Sequence, residues 1–264
     1  LRTTSAKGET KLVHTQRDKL IFLFIFLTNG SKTLKTLCLP RLTSVAAILR
    51  SLHDAVDRFY GPITRNTINF RNERAESQPT VSTVVDCTVV EINCPDGPFG
   101  QRDVFYSGKH KRHCLKKEVI VNVRSGMAAM ISEEYPGSVA DIEVLRRHAA
   151  EVNEMLGETK MLADKGYMGD CGVPNTLVVS GTNAAETRQR LVVETFFGPL
   201  KNYFIVFARR WELSPRCFTG FFDLSCALTN LTILVSPLNA EDWIFNDNLL
   251  QRWKRQNIER IDRV

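Results

Sequence analysis

The sequence predicts an α/β protein: a mixed sheet with helices on its faces, preceded by a small all-α region. Three observations lead there. Apolar residues recur at helical spacing from residue 18 to 60, runs of β-branched residues take over from 80 to 135, and helical periodicity returns after 138 with one short strand inside it. The 264 residues, 43% hydrophobic and 24% charged, are enough for one sizeable core plus an appendage and have the balance of a globular protein.

Residues 1–17 carry no clear period and read as a poorly ordered segment. The run "LIFLFIFL" at 20–27 is far shorter than the roughly 20 residues a bilayer span needs, and no small-residue cleavage site follows; it reads as a buried helix stopped by Asn29-Gly30. A second short helix opens on Ser31 and must end before Pro40. A third, "TSVAAILRSLHDAVDRFY", sets Val45, Ile48, Leu49, Leu52 and Val56 on one face. Three short helices over 18–60 suit a helix-turn-helix-like region with Arg41, Arg50 and Arg58 as phosphate contacts, or equally a helical cap packed on the main domain. Residues 61–79 lose the period and gain polar residues and prolines, the marks of a linker.

The main domain is expected over 80–238. "TVSTVVDCTVVEI" (80–92) reads as its first strand, "CLKKEVIVNV" (114–123) and "GMAAMISEEY" (126–135) as a hairpin joined at "RSG", and "GSVADIEVLRRHAAEVNEML" as a helix opened by Ser138. "TKMLADKGYM" is a short strand ending near Asp164, and the chain from Ala185 to about Val235 is mostly helical. A basic helical tail fills 239–264.

A net charge of +6 and a pI near 9.0 favour a polyanionic partner, nucleic acid or an acidic membrane surface. The seven cysteines are odd in number and form no C-x-x-C pair, which suits a reducing compartment. Much of the positive charge gathers in "FYSGKHKRHCLKK", residues 105–117. His110, His113 and Cys114 there have ligand chemistry for zinc, but neighbours on a strand point to opposite faces, so the run reads as basic surface.

Three carboxylates occupy telling places. Asp86 interrupts the apolar first strand, where an isolated charge is costly unless paired or metal-bound; Asp164 ends the later strand, where ligands gather in sheet folds; Glu194 lies on the amphipathic helix "RQRLVVETFFG". Oxygen donors without histidine or cysteine suit Mg²⁺ or Mn²⁺, and two such ions can drive phosphodiester chemistry. Arg190, Glu194 and Lys201 share one helical face, either cations steadying a metal ligand and touching DNA or an ordinary exposed pair. Asp141 stands in the first turn of a helix, where an acid suits the dipole, and reads as structural or supporting.

Taken in order, "VVDCT", "YSGKHKRHCLKKEVIV", "PGSVADIEVLR", "MLADKGYMG", "RLVVETFFGPLK" and "CALTNLTI" resemble the DDE superfamily endonucleases and transposases of the PIF/Harbinger type over about residues 80–236. The resemblance implies an RNase H-like fold and a catalytic, metal-binding triad of Asp86, Asp164 and Glu194 using two divalent ions, Mg²⁺ or Mn²⁺, to cleave and join DNA. It further implies a homo-oligomer, a separate DNA-binding partner protein, no membrane association, and a nuclear location if the source is eukaryotic. Lys109, Lys111, Arg112, Lys116, Arg190 and Lys201 become the expected DNA contacts, with a solvated, lysine-protected strand edge as the other reading of the basic run.

The sequence also departs from that family. Only 30 positions separate Asp164 from Glu194, and Pro199 is expected to end or kink the glutamate helix just after Gly198. The chain starts at Leu1, as a partial gene product would. Two functions therefore compete: an active DNA-cutting transposase, and a catalytically inactive or domesticated DNA-binding derivative.

Overall fold

The computed structural model describes residues 2–6, 9–13, 24–25, 27–30, 81–179, 184–213, 215, 218–237, 247–248 and 251. The second and third expected helices, the linker and most of the basic tail lie outside the described residues. Strands β1 (Arg2–Ala6) and β2 (Glu9–Val13) pair antiparallel as a ribbon of their own, in the stretch expected to be poorly ordered. Residues 24, 25 and 27–29 are helical, and Leu27 is fully buried in the main core.

That core forms around β3 (Val81–Glu91), whose valines suit a pleated, buried surface. Antiparallel β5 (Arg112–Asn122) flanks it on one side, with Asp86 opposite Val119. On the other side parallel β8 (Lys160–Ala163) follows, and then parallel β9 (Thr176–Val178). The outer edge of β5 carries β4 (Tyr106–Ser107), β6 (Ala128–Ile131) and β7 (Tyr135–Pro136). Three antiparallel strands, β6, β5 and β3, continued by two parallel ones make the sheet RNase H-like.

Alternation along the strands divides the core. Val84, Val90, Val119 and Val121 belong to the core cluster that includes α4 (Ala184–Tyr203) and α6 (Phe218–Val235). Val85 and Ile120 belong to the cluster with α2 (Asp141–Arg147) and α3 (Ala149–Leu156). Short α1 (Phe99–Asp103) precedes β4, and α5 (Ile205–Ala208) links α4 to α6.

Several expected elements are corrected. The strand foreseen at 126–135 is two short strands, because Ser132 turns inward and its Oγ accepts the Glu118 N–H at 2.9 Å. The single helix after Ser138 is two, broken at His148, whose ring turns in to Glu118. Ser138 caps neither; its hydroxyl donates to the Val104 carbonyl at 2.6 Å, and α2 starts after Ala140. Helix α4 does not stop near Gly198 but runs through Pro199 to Tyr203. Burial of Val193, Phe196 and Leu200 against the sheet offsets the roughly 3 kcal/mol that an interior proline costs.

Helix α6 has the length and apolarity to cross a membrane, but most of it is internal. Phe218 and Phe222 pack with Phe207 and Trp211, whose rings stack at 5.9 Å. Its polar residues are matched too: Asn230 accepts the Ala128 N–H at 2.8 Å and donates to the Ala128 carbonyl at 2.9 Å, tying α6 to β6. Asn230→Ala should therefore destabilise the chain by about 2 kcal/mol, read as a lower denaturation midpoint, since both backbone groups lose their buried partner. A change within about 0.5 kcal/mol would show that this tie contributes little.

Candidate active site

Val84 pairs with Leu162 across the parallel β3–β8 ladder, so two residues further along each path Asp86 and Asp164 come side by side on the α4 face. Asp86 is held by the Cys87 N–H, which donates to its Oδ1 at 2.8 Å. Asp164 follows the last residue of β8 and caps a 3₁₀ turn, Lys165–Tyr167, its Oδ1 accepting the Gly166 N–H at 2.7 Å. Burial first, then the charge of Asp164, push Asp86 up to about 6, against the opposing pull of the Cys87 N–H and Arg190; Asp141 pushes it further up.

Glu194 does not join this pair. It is half exposed and bonded to Arg190, Nη2 to Oε1 at 3.1 Å, one turn away on α4. Among the described residues no three His, Cys, Asp or Glu side chains are grouped to hold one ion. The helix does set three expected residues on one stripe: at about 100° per residue, Arg190, Glu194 and Lys201 lie within roughly 40° of one another. The outer two, Arg190 and Lys201, both act electrostatically on Asp86. Lys201 is mostly buried, and that burial lowers its pKa while Asp86 raises it.

The basic run divides. Lys109, its side chain 68% exposed, reaches to 3.7 Å from Asp141. Lys111 is exposed in a tight turn at φ 52, and Arg112 is exposed but pairs with Glu91 at 3.2 Å. Lys116 departs from the expectation of a DNA contact: it is buried, and its ammonium donates to the Val139 carbonyl at 2.5 Å and to Asp141 Oδ1 at 2.6 Å. Strand β5 is covered on both faces, so the charge of Lys116 is spent inside the fold. The histidines and cysteine of the run assemble no metal group among the described residues: Cys114 is buried, and His113 instead lies 3.6 Å from Cys94 Sγ.

Behind the two aspartates is a buried polar layer whose Glu118 and His148 reading the sequence did not single out. Tyr167, fully buried, places its hydroxyl 3.3 Å from Cys87 Sγ, and Glu118 pairs with His148 at 2.8 Å. Burial raises the pKa of Glu118, and the hydrogen bond from His148 opposes the rise. A glutamate opening the apolar run "EVIV" was the available signal.

No curated protein and no solved structure matches the chain. The family model for the DDE superfamily endonuclease matches residues 85–230, which begins one residue before Asp86 and spans Asp164 and Glu194. With more than half its length matched and an RNase H-like sheet setting two aspartates side by side, the chain belongs to the DDE superfamily endonucleases.

Proposed function

We propose that the chain is a transposase of the PIF/Harbinger type that cleaves and joins DNA phosphodiesters, with Asp86, Asp164 and Glu194 as its metal-binding triad. The observation that carries this reading is the side-by-side placement of Asp86 and Asp164, half-buried and mutually repelling, which leaves a demand for positive charge at the sheet edge. Hard oxygen donors in that arrangement fit Mg²⁺ or Mn²⁺. Two such ions, when bound, activate a water or hydroxyl and stabilise the leaving oxygen.

The protein's own share is positioning. Asp86 is fixed by a backbone N–H and Asp164 by its own turn, so both carboxylates are oriented before any ion arrives. Glu194 reaches them only by leaving Arg190, and that exposed i,i+4 pair is worth about 0.2–0.5 kcal/mol, small against a metal–carboxylate bond. Arg190 released in the exchange becomes available to a phosphate, beside Lys201. Lys109, Lys111 and Arg112 extend the same function along the duplex, holding backbone without reading bases. Such an enzyme would act on nuclear DNA in a eukaryote, as an assembly of copies and with a separate DNA-binding protein.

The position of Glu194 favours a second reading, a derivative that keeps fold and basic surface but does not cut. Nicking of supercoiled plasmid in Mg²⁺ or Mn²⁺ separates the two. For the transposase, cleavage requires metal and falls to background in Asp86→Ala, Asp164→Ala and Glu194→Ala alike. An unmodified chain that binds DNA yet cleaves no more than these variants is the derivative.

A further inference from the structure

Asp141 has no part in the triad, yet it is buried and fixed. Its side chain is 9% exposed and that of Lys116 8%, and the two meet at 2.6 Å, with the Lys116 ammonium also donating to the Val139 carbonyl. The pair joins β5 to the start of α2. Lys116 takes Asp141 Oδ1, while Oδ2, with the exposed Lys109 ammonium at 3.7 Å, faces the turn after β8.

That turn has no spare room. A Cβ added to Gly166 would lie 2.9 Å from Asp141 Oδ2 and 2.9 Å from Asp164 Oδ1. Gly166 is therefore gripped between two carboxylates, one anchored by a buried lysine and the other capping the turn through the Gly166 N–H at 2.7 Å. Its glycine is required by space. Tyr167 anchors the next residue of the same turn in the buried layer, against Cys87.

We propose that Asp141, held by Lys116, is a positioning residue that fixes the Asp164 carboxylate through their shared contact across Gly166. This rests on the reading of Asp164 as a metal-facing carboxylate. Lys116 supplies Asp141 with its counter-charge, so Asp141 needs no ion of its own. A neutral residue at 141 would leave the turn unclamped and Asp164 free to swing, and supporting groups of this kind typically change metal affinity by about 10–100-fold.

The test uses Gly166→Ala, which crowds the carboxylates without altering charge, and the double variant Lys116→Met/Asp141→Asn, which leaves no unpaired buried lysine. Thermal melts without metal establish that each is folded. Mn²⁺ is then titrated with melting temperature as one readout and plasmid nicking as the other. The expected result is that the Mn²⁺ concentration giving half the thermal shift rises about tenfold in both variants, with nicking recovering at high Mn²⁺. Folded variants whose half-saturating Mn²⁺ stays within twofold of the unmodified chain would overturn the proposal, because a purely structural role lowers the melt without moving metal affinity. Complete loss of the Mn²⁺ shift would overturn it in the other direction, making Asp141 a ligand. A chain that is stabilised by Mn²⁺ but never nicks refutes the transposase reading while the thermal titration still decides the role of Asp141; no Mn²⁺ shift in the unmodified chain removes both.

Discussion

Asp86→Asn should raise the melting temperature of the metal-free chain while abolishing its metal-dependent nicking. The two effects have one cause. Burial and the neighbouring Asp164 push Asp86 from 3.8 to about 6, so at neutral pH the fold carries a carboxylate it would rather have protonated. That difference is worth at most about 3 kcal/mol, and for a domain of this size each kcal/mol moves the melt by about 2–4 °C. Asparagine keeps the oxygen that accepts the Cys87 N–H and drops the charge.

The pH dependence has a definite sign. Because the folded-state value lies above the unfolded one, stability from this group is fully present below about 3.8 and is lost as pH rises through about 6. Melts of the metal-free chain should therefore shift upward relative to Asp86→Asn as pH falls from 7 to 5. Divalent metal reverses the balance, since an ion that binds only the folded state stabilises it by mass action, and only when Asp86 is charged. Glu194→Gln makes the control: half exposed and, among the described residues, paired along its own helix, it should leave the metal-free melt within about 0.5 kcal/mol of the unmodified chain. If Asp86→Asn melts lower than the parent at pH 7.5, the charge at 86 is not a burden on the fold, and repulsion cannot be what draws a cation to this edge.

Asp86 and Asp164 were legible because each breaks a local rule: one is a charge inside a β-branched run, the other closes a strand with a turn behind it. Their meeting was legible only through the parallel pairing of β3 with β8, which no local pattern states but the alternation of strands and helices implies. Glu194 could be assigned to its helix and to the face it shares with Arg190, where the two form the exposed pair that was one of the two readings. Lys116 was misread because a lysine among lysines looks like surface; the covering of β5 on both faces and a carboxylate 25 residues on decide otherwise. Pro199 was misread because helix propensity is local and the burial of Phe196 and Leu200 is not.

Lys117, the next residue in that run, supports the second large prediction. Its side chain is fully buried, with the ammonium donating to the Ser132 carbonyl at 2.6 Å and to Asp223 of α6 at 3.0 Å, above the Phe222 ring. Asp223→Leu should cost about 3–5 kcal/mol, because it strands a buried ammonium with one carbonyl partner. Lys117→Met/Asp223→Leu should recover most of that loss, since an apolar pair of similar volume avoids the desolvation that the ion pair only partly offsets. Urea denaturation of the two singles and the double closes the cycle. A loss below about 1 kcal/mol for Asp223→Leu would mean that water already reaches the lysine. Lys117 stands opposite Thr88, two residues along β3 from Asp86 on the same face. The pair thus fastens α6 beneath the strand that carries the first aspartate. Nicking by the double variant should follow its folded fraction alone, because neither partner touches the metal edge. A folded double variant with impaired nicking would make the ion pair part of what holds Asp86 in place.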